Sequence, residues 1–104
     1  MINFLKNLFS GSPSVDFKAM VALGAVIVDV RTRGEYQGGH VKGSINIPLN
    51  ELPQSLAKLS PSKTIITCCA SGMRSSSAKS LLKSSGFPEV HNGGGWQSLE
   101  RSLR

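Results

Sequence analysis

Two adjacent cysteines, Cys68 and Cys69, are the only thiols of this 104-residue chain, and Gly72 and Arg74 follow them closely. Neighbouring residues rarely close a disulfide, because their Cα atoms lie about 3.8 Å apart and an ordinary bridge needs a wider separation. Free thiols suit a reducing compartment, so we expect a cytoplasmic protein whose cysteines are reactive or buried. Because side chains alternate along a strand, the two thiols are expected to face different environments, with Cys68 packed beside the sheet.

The segment Cys69–Arg74 lies between a strand-like run and a helical pattern, where open α/β sheets bind their ligands. Gly72 allows the backbone to curl, so that successive N–H groups and the positive end of the next helix face one centre. Such a cradle lowers the pKa of a thiol, and Arg74 adds a permanent cation. The segment predicts Cys69 as a nucleophile, although a cysteine that merely ends a core strand beside a surface arginine gives the same pattern.

Strand-like and helix-like segments alternate along the chain, which predicts an α/β fold. Runs of β-branched and apolar residues predict strands over 25–30, 44–47, 64–68 and 89–91. Helical spacing of apolar residues predicts helices over 16–23, 50–59, 75–85 and 96–103. Ser14 is the expected N-cap of the first helix, and Gly86 is the expected stop of the third. Thr32 and Glu35 match a capping box for one further short helix. Pro53 is expected in the first turn of the second helix, and Asn92 with the glycines after it is expected to form a turn.

Four motifs give the chain a resemblance to the rhodanese family. They are Val28–Arg31 with Glu35 and Tyr36, then Gly39–Pro48, Cys69–Arg74 and Gly93–Trp96, in the family's order. The resemblance implies an α/β fold over residues 13–104, with a parallel five-stranded sheet flanked by helices on both faces. Residues 1–12 are then an N-terminal extension or a short amphipathic helix.

The resemblance also implies roles for individual residues. Cys69 matches the catalytic cysteine that accepts sulfur. The five residues after it match the substrate-binding loop of the family: Ala70, Ser71, Gly72, Met73 and Arg74. Asp29 and Arg31 match supporting residues at a neighbouring strand end. No metal and no cofactor are expected.

A domain of this kind is expected to be a thiosulfate sulfurtransferase-like enzyme. Its thiolate takes a sulfane sulfur from a small anionic donor as a Cys69 persulfide, and a thiol, cyanide or a protein cysteine accepts that sulfur. Members of the family that favour thiosulfate usually carry a further cation in the loop. Because Ala70, Ser71 and Met73 are uncharged, we expect thiosulfate to be a working but weak donor.

Two other functions remain open. Counted from Cys68, the sequence reads Cys68-x5-Arg74, the spacing of cysteine phosphatases and arsenate-handling enzymes. Those enzymes usually need an acid for the leaving oxygen, and Asp16 and Asp29 are the only aspartates. The other possibility is a non-enzymatic rhodanese-like module that serves protein interaction.

Charge and hydropathy limit the kinds of partner. The net charge of +6 comes from lysines and arginines scattered along the chain, which does not indicate a nucleic-acid surface. The longest apolar run, over 19–28, is about half as long as a membrane-spanning helix, and the N-terminus does not resemble a secretory signal. The charge favours small anions and acidic partners. Together with the resemblance, we expect a single domain, a monomer or weak dimer, with a small anionic sulfur donor as its partner.

Overall fold

A parallel sheet of four strands organises residues 15–104, which are the residues described by this computed structural model. The strands are β1 (Val26–Asp29), β2 (Ile45–Asn46), β3 (Ile65–Cys69) and β4 (Val90–Gly95). Their spatial order is β2-β1-β3-β4, and every neighbouring pair is parallel. The expected fifth strand is not found within the described part, and the predicted segment over residues 1–12 lies outside it.

Helices cover both faces of the sheet, as predicted. They are α1 (Phe17–Ala22), α2 (Arg33–Gln37), α3 (Met73–Ser84) and α4 (Trp96–Ser102), with two 3-10 helices at Leu49–Gln54 and Leu56–Lys58. None of the helices described over 15–104 is long and apolar enough to cross a membrane.

Two helix predictions need correction. The expected α-helix over 50–59 is two short 3-10 helices, because Pro53 has no N–H to donate and its ring opposes regular α-helical turns. The expected cap residue Ser14 lies outside the described residues. Asp16 is the N-cap of α1 instead, since its carboxylate accepts the Ala19 N–H at 2.9 Å.

The side-chain alternation of the strands divides the core into two clusters. One cluster lies under α3 and the 3-10 helices and includes Val30, Leu52, Cys69 and Leu82. The other lies under α1 and α4 and includes the side chains of Ile27, Ile66, Cys68 and Leu99. Successive residues of β3 therefore contribute to opposite faces of the sheet.

Helix α3 ends as predicted and begins two residues earlier than predicted. Gly86 has a φ of +98°, its N–H donates to Lys83 O, and the Phe87 N–H donates to Leu82 O, which together form a Schellman ending. At the other end, Gly72 with a φ of +108° is the N-cap. The connection from β3 to α3 is therefore only Ala70–Gly72.

Strand β4 is longer than predicted, because the glycines expected to form a turn continue the sheet. Cys69 pairs with Gly95, after a register shift in β3 between Thr67 and Cys69. A Cβ atom on Gly93 would lie 2.9 Å from both Ile66 Cγ2 and Thr67 O, and one on Gly95 would lie 2.9 Å from Ala70 O. The absence of side chains here lets β4 approach β3 and the loop that follows it.

We predict that Gly93→Ala destabilises the protein by about 1–3 kcal/mol, because the added methyl group meets backbone and core atoms that cannot move freely. Urea unfolding measures this change. Gly34→Ala is the matched control, since a Cβ there has no neighbour within 4 Å. It should be neutral or slightly stabilising, because alanine is a better helix residue than glycine. Equal midpoints for the two variants would contradict the close approach of β4.

Candidate active site

Cys69 is the last residue of β3, whereas the sequence predicted it to be the first residue beyond the strand. Its pairing with Gly95 keeps it in the sheet. The side chain is only 1% exposed and packs on the face that α3 covers. The sulfur atom thus lies at the carboxyl edge of the sheet, directly below the start of a helix.

The backbone after Cys69 turns its N–H groups toward the sulfur, as the sequence predicted. The Gly72 N–H donates to Cys69 Sγ over 3.0 Å, and the Ser75 N–H donates to it over 3.3 Å. The positive φ of Gly72 makes this inward turn possible. Both donors belong to the start of α3, where helical N–H groups have no partner within the helix.

Ser75 and Asn92 form a polar network beside the sulfur that the sequence analysis missed. The buried Ser75 hydroxyl lies 3.5 Å from Cys69 Sγ, 2.6 Å from Asn92 Oδ1 and 3.0 Å from Gly72 O. Asn92 was interpreted as a turn residue, but its amide also donates to Gly72 O, and its Oδ1 accepts the Gly94 N–H. The network therefore joins β4 to the start of α3 around Cys69.

One hydroxyl proton of Ser75 serves three possible acceptors. Two of these acceptors have another donor: Asn92 Oδ1 accepts the Gly94 N–H, and Gly72 O accepts the Ser76 N–H. Both therefore stay hydrogen-bonded when the Ser75 proton turns away from them. The hydroxyl is therefore free to rotate and donate to Cys69 Sγ once that sulfur loses its proton.

The pKa of the Cys69 thiol lies below its ordinary value. Burial acts to raise this pKa, but hydrogen bonds from the Ser75 hydroxyl and from the N–H groups of Ser75, Gly72 and Ser71 together outweigh burial. Each of these donors favours the charged thiolate over the neutral thiol. The site is thus built to hold negative charge on sulfur.

Cys68 differs from Cys69 in the face of the sheet on which it lies and in the direction of its pKa shift. It is fully buried with Ile66 and Leu99 on the opposite face of the sheet, as the strand alternation predicted. Burial, followed by the nearby carboxylate of Asp29, raises the pKa of the Cys68 thiol to about 12. The thiol stays protonated near neutral pH and does not face the cradle.

Asp29 and Arg31 form a buried ion pair beside the site. The Arg31 guanidinium contacts both carboxylate oxygens of Asp29, with a shortest distance of 2.7 Å. It also donates to Glu35 O and to Gly39 O, and its Cζ atom lies 4.9 Å from the centre of the Trp96 ring. With Arg31 only 4% exposed, the pair is structural and does not reach the rim of the site.

Arg74 makes an ion pair that the sequence did not predict. Its Nη1 lies 2.7 Å from Glu35 Oε1 and its Nη2 lies 3.0 Å from Glu35 Oε2, and both side chains are partly exposed. Glu35 also completes the predicted capping box with Thr32. The positive charge of Arg74, which was expected to face the cradle, is therefore paired with the Glu35 carboxylate from α2.

The remaining loop residues lie at the protein surface. Ala70 and Ser71 are exposed, and the Met73 side chain is 80% exposed. Among residues 15–104, no three histidine, cysteine, aspartate or glutamate side chains form a group that could hold a metal ion. The hydrogen-bond donors around the Cys69 sulfur suit a small negatively charged group at that atom.

The sequence and the fold of this chain are similar to those of known proteins. The family model described as "Rhodanese-like domain" matches residues 14–102. Thiosulfate sulfurtransferase PspE of Escherichia coli is 39% identical over 74 residues, which is 69% of this chain and 71% of PspE. The structure of an E. coli rhodanese with anions is similar at a TM-score of 0.68 and 35% identity, covering 72% of this chain and 91% of that one.

The same fold also occurs as part of a longer protein. The structure of reduced CoADR-RHD of Bacillus anthracis matches 85% of this chain, at a TM-score of 0.73 and 35% identity. The match covers only 16% of that longer protein.

We predict that Ser75→Ala raises the pKa of Cys69, because the variant loses a hydroxyl that can donate to the thiolate. Thiolate ultraviolet absorbance, followed against pH, measures this change. Cys68 does not interfere below strongly alkaline pH, since its pKa is raised to about 12. Ser77→Ala is the control, because Ser77 is exposed on the same helix. A Cys69 midpoint equal in Ser75→Ala and wild type would contradict the role assigned to the hydroxyl.

Proposed function

The chain belongs to the rhodanese-like domain family, and on this basis we propose that it is a sulfurtransferase that carries a sulfane sulfur as a persulfide on Cys69. The donor is a small anionic sulfur compound such as thiosulfate. The acceptor is a thiol, cyanide or a protein cysteine.

The position of the Cys69 sulfur supports the proposal most directly. Two N–H groups donate to it from within 3.3 Å, and a hydroxyl lies 3.5 Å away. These donors stabilise an anion on Sγ, which is the charge state of the thiolate that attacks the donor and of the thiolate that leaves when the acceptor takes the outer sulfur. The same groups therefore serve both halves of a transfer reaction.

The transfer needs only one nucleophile from the protein, the Cys69 thiolate. The Cys69 thiolate attacks the outer sulfur of thiosulfate, a bond forms between Sγ and that sulfur, and the sulfur–sulfur bond of the donor breaks. The electron pair of the broken bond leaves with sulfite, which needs no proton. In the second half, the acceptor attacks the outer persulfide sulfur, and the electron pair returns to Cys69 as the thiolate.

The phosphatase-like alternative lacks structural support. It requires Cys68 as the nucleophile of the larger loop that ends at Arg74. The Cys68 sulfur packs instead against the core beneath α4, with a pKa raised to about 12. Its carboxylate neighbour, Asp29, is committed to the ion pair with Arg31.

We predict that Cys69→Ser abolishes sulfur uptake, whereas Cys68→Ser retains most of it. The intact mass of each variant after incubation with thiosulfate measures the gain of one sulfur atom, and thiocyanate production from cyanide measures turnover. Cys68→Ser should lose at most about 2 kcal/mol of stability, because a hydroxyl replaces a buried thiol.

Three outcomes of this experiment would contradict the proposal. Sulfur mapped to Cys68 by peptide mass would assign the wrong nucleophile. Release of phosphate from an aryl phosphate, lost in Cys68→Ser, would favour the phosphatase-like loop. A folded wild-type protein that takes sulfur from no donor would favour a non-enzymatic interaction module.

A further inference from the structure

Hydrogen bonds from two residues, Thr32 and Arg74, hold the carboxylate of Glu35 in place. Its Oε1 accepts the N–H and the hydroxyl of Thr32, each over 3.1 Å, as part of the cap of α2. Both oxygens also accept from the Arg74 guanidinium. The pKa of Glu35 is lowered to about 2, first by the Arg74 hydrogen bond and next by the Thr32 N–H. The carboxylate is therefore charged at any working pH and already in place before a ligand arrives.

A groove of about 320 Å³ opens beside this pair, at the lower end of the size range of small-molecule sites. Its lining consists of Val30, Thr32, Pro48, Leu49, Asn50 and Arg74. Val30 shares a core cluster with Cys69, and Leu49 packs against that cluster, so the groove lies on the Cys69 face of the sheet. Of these lining residues Arg74 alone is charged.

The charges and the apolar lining together favour one class of ligand. Hydrogen bonds between a guanidinium and a carboxylate are strong when both oxygens take part, and a pair that is already formed must be broken before Arg74 can turn to another anion. A small inorganic dianion would also meet the negative charge of Glu35. An uncharged aliphatic group placed against Val30, Pro48 and Leu49 would not need to break the Arg74–Glu35 pair, and the charge of Glu35 would not repel it.

We propose that Glu35 determines donor specificity, by holding Arg74 in a two-point ion pair and leaving the groove to an uncharged aliphatic group carried by an organic persulfide. This inference rests on the proposed function, since it concerns donors of the same Cys69 site. It makes Glu35 a positioning residue that acts through Arg74.

The transfer from such a donor is balanced without a further reactant. The Cys69 thiolate attacks the outer sulfur of R–S–SH, and a bond forms between Sγ and that sulfur. The bond between the outer and inner sulfurs breaks, and its electron pair leaves on the inner sulfur as the thiolate R–S⁻. The proton of the outer sulfur stays with the new persulfide, which then releases it to solvent.

The test compares loading of Cys69 by thiosulfate and by propyl hydropersulfide in wild type and Glu35→Gln. The rate of sulfur uptake, followed by quenched intact mass, gives a second-order rate constant for each donor. Glutamine keeps an oxygen acceptor for the Thr32 cap but removes the charge that holds Arg74. We expect Glu35→Gln to increase the thiosulfate constant by about fivefold, while the propyl hydropersulfide constant changes by less than about twofold.

Three further variants define the origin of the effect. Glu51→Gln is the matched control, because it removes the same charge from another two-point pair, with Arg33 at 2.6 and 2.7 Å. It should change neither constant. Glu35→Asp keeps the charge but is too short for the two-point contact, so an intermediate gain is expected. The double variant Glu35→Gln/Arg74→Gln should lose the gain.

The outcomes separate this inference from the proposed function. Thiosulfate constants that are equal in wild type, Glu35→Gln and Glu35→Asp would overturn the role of Glu35, and so would an equal gain in Glu51→Gln. In either case sulfur still reaches Cys69 and the proposed function stands. If no variant takes sulfur from either donor, both the proposed function and the inference fail. Thermal unfolding of each variant verifies that the compared proteins are folded.

Discussion

The buried ion pair between Asp29 and Arg31 holds the carboxyl edge of the sheet together. Removing two charges from water is costly, and only complete pairing and hydrogen bonding offset that cost. Arg31 achieves this by contacting the Asp29 carboxylate and the carbonyl oxygens of Glu35 and Gly39. One guanidinium thereby joins the end of β1, helix α2 and the turn after it, and its contact with the Trp96 ring extends the connection to α4. Because α2 also carries Glu35, this frame helps to position the carboxylate that pairs with Arg74.

The cradle around Cys69 depends in turn on the close approach of β4. Gly93 and Gly95 admit backbone contacts that any side chain would prevent. This approach brings Asn92 within 2.6 Å of the Ser75 hydroxyl and 3.2 Å of Gly72 O. The glycine-rich segment therefore contributes to the chemistry of a residue more than twenty positions earlier. Helix α3 supplies the N–H groups, and β4 fixes the polar side chain that braces them.

Sequence reasoning succeeded where the governing physics is local. The β-branched run before Cys69 predicts a buried strand, and its two-residue period correctly places Cys68 and Cys69 on opposite faces. Reasoning failed for contacts that only packing creates. The Glu35–Arg74 pair joins residues 39 positions apart, and Asn92 is indistinguishable from a turn residue until β4 is seen to continue. The α-helix predicted over 50–59 was wrong because a first-turn proline such as Pro53 fits an α-helix as well as the 3-10 turns that formed.

The opposite orientation of the two adjacent thiols has a consequence for the lifetime of bound sulfur. In many redox proteins a second cysteine resolves the first, attacking its oxidised sulfur and ejecting the outer atom as an internal disulfide forms. Cys68 cannot do this to Cys69, because the sheet separates the two sulfur atoms and Cys68 is protonated at neutral pH. The chain has no third cysteine to take its place. Under the proposed function, a persulfide on Cys69 would find no second thiol of this chain able to displace its outer sulfur, so release of that sulfur would depend on an external acceptor.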